Sequence, residues 1–282
     1  MSDGFTRVTK SKRCPICGKP DWCMIARDGT AAICPRVPEG GKYLGDAGWL
    51  HRLTNDPPKP SAPRVYAHPK ADFNAEEVNN KFRHAVDPSM LEVQSALIRV
   101  STLSLKLLGV GYSDEHQAFS FPMRSHTGAI IGIRLRAMDG KKFAVSGSRS
   151  GLFIGPKRDG IDLYVCEGPT DAAALIDLDC WVVAKPSCNG GNEELARYVG
   201  LHKPKNIIIV SDRDGPGVAG AERTADILSS KAVVRVIEPL AGKDIREWKM
   251  IGCNASTLSA VVINTQPWFK PVALTGRAAV RD

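Results

Sequence analysis

The last third of the chain alternates short apolar runs with helical segments. The apolar runs are "IDLYVC", "CWVVA", "NIIIV" and "AVVRVI", and segments such as "DAAALI" and "GVAGAERTADILSS" separate them. Such alternation predicts an α/β fold built on a parallel sheet. In open parallel sheets, ligands bind at the carboxyl ends of the strands. The residues that directly follow each apolar run are therefore the first candidates for a functional site.

Acidic residues occupy these positions. Glu167 follows "LYVC", and Asp212 and Asp214 follow "NIIIV" as "SDRD". Because side chains two residues apart on a strand share a face, we expect both aspartates to point the same way. Clustered carboxylates repel one another unless a cation lies between them. Hard oxygen donors suit Mg²⁺, or Mn²⁺, so the acids predict a metal site, with "GKD" (Lys243 and Asp244) beside it. The alternative for each acid alone is an exposed loop residue or a helix cap.

A cluster of cysteines lies near the N-terminus. Cys14, Cys17, Cys23 and Cys34 are spaced C-x2-C-x5-C-x10-C, and a C-x2-C pair places two thiolates at adjacent positions on a tetrahedral zinc ion. The spacing predicts a zinc site rather than free thiols or a redox pair. His51 is the alternative to Cys23 as the fourth ligand. The remaining cysteines are expected to be small core residues, namely Cys166, Cys180, Cys188 and Cys253.

Composition divides the rest of the chain. Residues 54–70 are rich in proline and predict a stiff linker after a zinc-binding domain at 1–53. Residues 71–158 combine helical periodicity up to residue 111 with an antiparallel meander. The α/β domain then spans 159–252, and 253–282 form a C-terminal segment. We therefore expect a small zinc-ribbon-like β domain, an α+β basic subdomain and an α/β parallel-sheet domain.

Charge is distributed unevenly between these parts. Residues 1–158 carry 24 lysines and arginines against 14 acids, whereas residues 159–282 carry 14 against 16. A basic region of this kind is typical of proteins that bind polyanions. Four cations come at the ends of predicted strands and are candidates for binding phosphates, with solvated surface residues as the alternative; they are Arg124, Arg134, Arg136 and Lys142.

No apolar run is long enough to cross a membrane, and the N-terminus is polar and basic without the apolar stretch of a signal peptide. We therefore expect a cytoplasmic location and no membrane partner.

Three motifs, "VCEGPTDAAAL", "IIIVSDRDGPG" and "GKDIREW", resemble those of the Toprim domain, which primases, topoisomerases and related nucleases share. The series "FPMR", "GIRLR", "KKFAVSGS" and "GLF" resembles bacterial and phage DNA primases in particular. Together with the cysteine-rich head and the linker, the resemblance covers nearly the whole chain. The head departs from the pattern, because its second cysteine pair is not the C-x2-C common in phage primases.

The resemblance implies an enzyme that makes short RNA primers from ribonucleoside triphosphates on single-stranded DNA. Asp212 and Asp214 would hold magnesium, and Glu167 would bind metal or accept a proton. Arg134, Arg136 and Lys142 match the basic ridge of the family, with Lys243 and Asp244 near the nucleotide, and the zinc-binding head would read the template. No G-x-x-x-x-G-K-[ST] motif occurs in these 282 residues, so we expect a separate replicative helicase as partner.

Two other functions share these motifs. A Toprim nuclease or topoisomerase would use the same acids to cleave DNA, although a topoisomerase also needs a nucleophilic tyrosine in a domain that is not evident here. A recombination accessory protein would clamp DNA without catalysis. Such proteins place the zinc motif next to the Toprim domain, whereas more than a hundred residues separate the two in this chain.

Overall fold

The structure is a computed structural model that describes residues 5–44, 47–54, 73–158, 160, 162–188 and 190–269. The chain divides into two compact units, Met1–Tyr66 and Ala67–Asp282. The first unit is called the head and the second the core. The predicted linker at 54–70 lies outside the described residues from residue 55 onward.

The head is a five-stranded antiparallel sheet in the order β1-β2-β3-β5-β4. Its strands are β1 (Phe5–Arg7), β2 (Met24–Ala26), β3 (Ala31–Cys34), β4 (Lys42–Tyr43) and β5 (Trp49–Arg52). Its buried cluster consists of Val8, Ile25 and three of the cysteines, Cys14, Cys23 and Cys34. A domain with so small an apolar cluster normally needs a metal or disulfides to fold stably.

The core begins with three helices and a four-stranded antiparallel meander in chain order. The helices are α1 (Ala75–Ala85), α2 (Pro88–Ile98) and α3 (Thr102–Leu108), and the strands are β6 (Gly111–Ser113), β7 (Ala118–Arg124), β8 (Ile130–Ala137) and β9 (Lys142–Ala144). Asn74, Asp87 and Ser101 cap the helices, each by accepting a hydrogen bond from a backbone amide of the first turn. The predicted helical segment and meander are both present.

An α/β sheet follows, in the order β10-β12-β11-β13-β14. It contains β10 (Phe153–Ile154), β11 (Leu163–Glu167), β12 (Trp181–Lys185), β13 (Asn206–Val210) and β14 (Val233–Ile237), with the helices α4 (Pro169–Asp177), α5 (Asn192–His202), α6 (Gly215–Leu228), α7 (Ile245–Met250) and α8 (Ala255–Asn264). All neighbouring strands are parallel except β10, which pairs antiparallel with β12. The predicted fold class is therefore confirmed.

The strand order reverses between β11 and β13. After β11 the chain passes through α4 to β12 on one side, and after β13 it passes through α6 to β14 on the other. The connections that leave these two adjacent strands therefore diverge and open a crevice at the carboxyl ends. Crevices at such reversals are the usual ligand sites of α/β sheets.

Alternate residues of the sheet pack into two different cores. Tyr164, Cys166 and Ile208 belong to one cluster, whereas Val165 and Ile207 belong to a second cluster on the opposite face with α5 and α6. The first cluster also contains side chains of α2, α3 and β7. The meander and the α/β sheet are therefore joined by a continuous hydrophobic core.

The edge strand β14 is covered by the segment that follows α8. The Trp268 backbone amide donates to the Val234 carbonyl (2.7 Å), and the indole Nε1 donates to Asp226 Oδ1 (3.0 Å). Arg235 Nε donates to the Thr265 carbonyl (3.0 Å). This segment therefore uses part of the open hydrogen-bonding edge of the sheet.

Two sequence-based expectations need correction. Strand β13 ends at Val210, so Asp212 and Asp214 lie in the following loop and the two-residue strand period does not apply to them. Cys166, Cys180 and Cys253 are buried as expected, but Cys188 is only half-buried, because it lies in the turn after β12. Among the described helices, none has the length and apolarity required to span a bilayer.

Asp177 joins three helices of the core. It ends α4, and its carboxylate accepts hydrogen bonds from the Ser101 amide (2.8 Å) and hydroxyl (2.5 Å) at the start of α3. Lys249 Nζ of α7 lies 2.7 Å from Asp177 Oδ2, whose side chain is only 7% exposed. Burial opposes ionisation, but the hydrogen bonds from Lys249 and Ser101 outweigh it and lower the pKa of Asp177.

We predict that Asp177→Ala lowers the free energy of unfolding by about 2 kcal/mol, because it removes the carboxylate that accepts hydrogen bonds from Ser101 and pairs with the half-buried Lys249 ammonium. Because the folded-state pKa is lowered, this stabilisation is present at neutral pH and is lost as the pH falls below the ordinary carboxyl range. Urea denaturation measures both effects. Glu193→Ala is the matched control, because the Glu193–Arg197 pair is exposed and its loss should cost less than about 0.5 kcal/mol.

Candidate functional site

The four cysteines of the head converge on one point. Their sulfur atoms all lie within 4.8 Å of one another, and three of the four residues are buried. His51 is not part of this cluster, because its Nε2 is 2.9 Å from the Val37 carbonyl oxygen. Cys23 therefore completes the cluster, and the alternative of His51 as the fourth ligand is not supported.

The cluster is poorly suited to remain as four free thiols. Burial opposes ionisation of Cys17, but hydrogen bonds from the Lys19 backbone and the other cysteines lower its pKa to about 7. Burial and the neighbouring sulfurs raise the pKa of Cys23. A divalent cation would relieve the repulsion among the thiolates, and four sulfur ligands are typical of structural zinc. The cluster is thus consistent with Zn²⁺.

Arg36 supports the cluster from outside. Its Nη1 atom lies 3.5 Å from Cys23 Sγ and 3.8 Å from Cys17 Sγ, and it also donates to the Asp21 carbonyl (2.9 Å). A cation at this distance favours the thiolate form of both cysteines. Its Nη2 atom pairs with the Asp21 carboxylate (2.5 Å), so Arg36 joins the cysteines to the loop that precedes Cys23.

The core contains a cavity of about 400 Å³ at the crevice between β11 and β13. Carboxylates come from the α/β sheet and its loops, and most of the cations come from the meander. The charged residues that line it are Glu167, Asp171, Asp212, Asp244 and Glu247 together with Arg134, Arg136, Lys142, Lys243 and Arg246.

The acids crowd one another. Burial and then repulsion from Glu167 and Asp244 raise the pKa of Asp212 to about 6. Burial, followed by the charges of Asp244 and Asp212, raises the pKa of Asp171. Such shifts are typical of carboxylates that await a cation, because each ionised group disfavours ionisation of the next.

Asp214 is placed differently from Asp212. Its Oδ1 accepts from the Gly217 amide (2.8 Å) and caps α6, and its Oδ2 lies 3.3 Å from Lys243 Nζ. The hydrogen bond and charge of Asp214 raise the pKa of Lys243. Asp214 is not among the residues that line the cavity, so the structure brings together Glu167 and Asp212 but holds Asp214 at the edge of the site.

Arg134 and Arg136 face the cavity because successive side chains of β8 point to opposite faces of the sheet. Ile133 and Leu135 pack against Phe82 of α1, so Arg134 and Arg136 lie on the opposite face. Lys142 of β9 pairs with Arg136 across the strands. Both arginines are half-buried, and the partial removal of their charges from water lowers their pKa.

Arg124 is not part of this group. It ends β7, donates from Nη1 to the Gly128 carbonyl (3.0 Å) and does not line the cavity.

Three buried polar atoms at the cavity have no hydrogen-bond partner. They are Arg134 Nε, Arg246 Nε and Asp171 Oδ1. Leaving such atoms unpaired costs free energy, so each of them calls for an explanation. Four further atoms of this kind lie elsewhere among the described residues, and a bound ligand would account for the three at the cavity. The unpaired N–H donors would bind an anionic ligand, and the unpaired carboxylate oxygen would bind a cation. The cavity thus offers groups of both charges, as the binding of a metal-bound phosphate would require.

Sequence reasoning missed four residues of this region. Asp171, Arg246 and Glu247 stand within the motifs "EGPTD" and "GKDIREW", and their spacing from Glu167 and Asp244 is the signal that was available. Lys185 gave no signal. It ends β12 in register with Glu167, is buried, and donates to the Cys188 carbonyl (3.1 Å), Asn192 Oδ1 (2.8 Å) and Thr224 Oγ1 (2.7 Å). Burial lowers the pKa of Lys185 to about 8.

We predict that Cys23→Ser reduces the zinc content of the purified protein, because it removes one of four converging sulfurs. His51→Asn should leave the zinc content unchanged, since His51 is held by the Val37 carbonyl instead. Elemental analysis distinguishes the two variants. Full zinc content in Cys23→Ser, or loss of zinc in His51→Asn, would contradict this ligand set.

Comparisons with known proteins agree with the fold. Residues 164–248 match the family described as Toprim-like. The Aquifex aeolicus primase, with zinc-binding and RNA polymerase domains, is 16% identical with a TM-score of 0.56; the match covers 69% of this chain and 60% of that one. The RNA polymerase domain of Mycobacterium tuberculosis primase DnaG is 19% identical with a TM-score of 0.52, and the match covers 68% of this chain and 79% of that one. The DnaG primase catalytic domain bound to ssDNA is 15% identical with a TM-score of 0.53, and the match covers 68% of this chain and 78% of that one.

Among curated proteins, the sequence comparison found no significant match. At these identities, the structural matches establish the fold alone. The predicted resemblance is thus confirmed in its architecture. The chain carries a Toprim-like domain at residues 164–248 within a core that has the fold of DnaG-type primase catalytic domains, preceded by a head with a four-cysteine cluster.

Proposed function

We propose that the protein is a DNA primase, which joins ribonucleoside triphosphates into short RNA primers on single-stranded DNA. The observation that carries this proposal is the cavity itself, in which carboxylates at the strand reversal face arginines of the meander. Nucleotidyl transfer requires this pairing of charges, because the reacting triphosphate is an anion that arrives with divalent cations.

We assign magnesium to the acidic side of the cavity. Glu167 and Asp212 would hold one ion, since both line the cavity and their charges repel. Asp214 is a further ligand, because the Lys243 ammonium 3.3 Å from its Oδ2 occupies a place that a metal ion could take. Asp171 Oδ1, buried without a partner, and Asp244 offer additional oxygens. Magnesium bound there supplies charge neutralisation at the attacking and leaving oxygens of the phosphoryl group.

The basic side would bind phosphates. Arg134 and Arg136 project from β8 into the cavity, and Lys142 and Arg246 stand beside them. Guanidinium groups bind phosphate oxygens with two parallel hydrogen bonds, and partial burial strengthens these bonds. We therefore assign Arg134, Arg136 and Lys142 to template or nucleotide phosphates. Lys243 would join them if a metal ion took its place beside Asp214.

In the proposed reaction, the 3′-hydroxyl of the growing primer attacks the α-phosphorus of the incoming nucleotide. A new P–O bond forms, the bond to the β-phosphate breaks, and pyrophosphate leaves. Glu167 is placed to accept the hydroxyl proton where it does not bind metal, since it ends β11 at the cavity. The arginines hold the triphosphate in line for attack.

The remaining parts of the proposal concern partners. Among the structural matches, a DnaG catalytic domain is described as bound to ssDNA. We propose that single-stranded DNA also binds at the basic side of the cavity in this core. We further propose that the head contacts the template strand. A separate replicative helicase stays a prediction.

We predict that Mg²⁺ stabilises the protein at about pH 8 and has little effect at about pH 5. The folded-state pKa of Asp212, about 6, lies above its ordinary value of 3.8. Ionisation of Asp212 therefore lowers the stability of the folded protein above about pH 6. Protonation of Asp212 removes this loss as the pH falls from about 6 towards 3.8. Mg²⁺ relieves the same cost only when the carboxylate is ionised. Thermal unfolding with and without Mg²⁺ measures the difference.

Asp212→Asn should unfold at a higher temperature than the wild type without Mg²⁺ at about pH 8, and should respond less to the metal. Asp114→Asn, an exposed acid outside the cavity, is the matched control and should behave like the wild type. An equal response to Mg²⁺ in all three proteins would remove Asp212 from the metal site.

The function itself is tested by primer synthesis on single-stranded DNA with labelled ribonucleotides and Mg²⁺. We predict that Glu167→Gln and Asp212→Asn each reduce the rate by about a thousandfold or more, because transition-state charge is no longer neutralised. Asp114→Asn should retain wild-type activity, and circular dichroism verifies folding. Wild-type primer yield from a folded Asp212→Asn protein would refute the assignment, and cleaved DNA in place of primers would identify a nuclease.

A further inference from the structure

Trp22 occupies an unusual place in the head. The Cys23 amide donates to the Asp21 carbonyl (2.8 Å), a hydrogen bond across two residues with Trp22 between them, and Trp22 has φ = 62°. This is the positive-φ form of the γ-turn, which is rare and strained. A tryptophan has no intrinsic preference for such backbone, so the surrounding structure must impose it.

The turn is fastened from two sides. Arg36 donates to the Asp21 carbonyl and pairs with the Asp21 carboxylate, and it also contacts the sulfurs of Cys17 and Cys23. The residue directly after Trp22 is itself a member of the cysteine cluster. The direction in which Trp22 projects is therefore fixed by the same contacts that hold the cysteines together.

The ring that this turn presents is open to solvent. Trp22 is 74% exposed, and it is the one exposed residue among the five tryptophans, all of which are in the described part of the chain. A single exposed apolar side chain is common on protein surfaces. A strained backbone that holds such a side chain outward is uncommon, and it marks Trp22 as a candidate for binding.

The segment that precedes the turn is cationic. Residues 4–20 contain five lysines and arginines and no acidic residue, and all five side chains are exposed: Arg7, Lys10, Lys12, Arg13 and Lys19. The Val8 amide donates to the Cys23 carbonyl (3.1 Å), and the Cys14 amide donates to the Lys19 carbonyl (2.9 Å). The basic segment is therefore hydrogen-bonded to the residue directly after Trp22, and the second hydrogen bond closes a loop within the segment itself.

We propose that Trp22 is a stacking platform for a base of single-stranded DNA, with the neighbouring lysines and arginines on the phosphates. An aromatic face beside cations is the combination that single-stranded nucleic acids require. A protein partner would instead need a wider apolar patch at the centre of its interface. The inference deepens the proposed function, on which it rests for the identity of the strand, and it names the residue of the head that contacts the template.

The test is the fluorescence anisotropy of a short labelled single-stranded DNA, titrated with the full chain at several salt concentrations. Trp22→Ala should raise Kd about fivefold or more, and Trp22→Phe should raise it less. The dependence of log Kd on log salt should not change, because stacking releases no counterions. Lys19→Ala should instead reduce that slope by about one.

A second probe removes the bases rather than the ring. A DNA with abasic sites should lose affinity for the wild type but not for Trp22→Ala. Tyr43→Ala is the matched control, because Tyr43 is also an exposed aromatic residue of the head but packs on Trp49 (5.5 Å between ring centroids). Repeating the comparison in an Arg134→Ala chain prevents binding by the core from hiding the effect of the head.

Trp22→Gly separates binding from stability. Glycine adopts positive φ without strain, so the variant should unfold no more readily than Trp22→Ala and should keep its zinc while it loses DNA affinity. Unchanged DNA affinity in Trp22→Ala, or a loss in it that follows loss of zinc, would overturn the proposal. Because the titration contains no nucleotides, its outcome is independent of whether the core synthesises primers.

Discussion

The candidate site depends on the hydrophobic core that the meander and the α/β sheet share. Phe121 of β7 lies in the same buried cluster as Cys166 of β11 and Ala173 of α4. Protein interiors are close-packed, so two layers that share such a cluster cannot shift independently. The arginines of β8 are therefore held at a fixed distance from the acids at the strand reversal. An assembly of this kind can prepare opposite charges for a ligand before the ligand arrives.

The cavity is lined by equal numbers of acidic and basic side chains, but some of their polar atoms have no partner. Three of the unpaired buried polar atoms belong to residues that line it, and Asp171 and Asp212 both have raised pKa values. In the head, crowded thiols create the corresponding situation with soft donors, where Cys23 has a raised pKa and Cys17 a lowered one. The head thus holds soft sulfur ligands, and the core holds hard oxygen ligands. In both units, a cation that suits the ligands would relieve the repulsion among them.

Much of this arrangement can be predicted from the sequence, and the limits have physical causes. The alternation of apolar runs and helices predicts the parallel sheet, and Glu167 and Asp212 follow from the ends of two strands. The different position of Asp214 was not predictable, because it depends on where β13 ends and on the cap of α6. Lys185 was missed because its burial and its hydrogen bond to Thr224 of α6 arise only when the strands and helices pack together. Arg124 and Arg134 look alike in sequence, and only the strand pairing separates them.

The cover on β14 has a consequence for solubility. An uncovered edge strand offers backbone groups to other chains and promotes association into extended sheets. Here the segment that holds Trp268 takes up part of that edge, and the opposite edge strand, β10, is only two residues long. The segment therefore shields part of the edge of the described sheet from intermolecular pairing. A shortened chain that lacked this segment would expose an apolar strand rich in valine and isoleucine, so we expect it to aggregate even with its cavity intact.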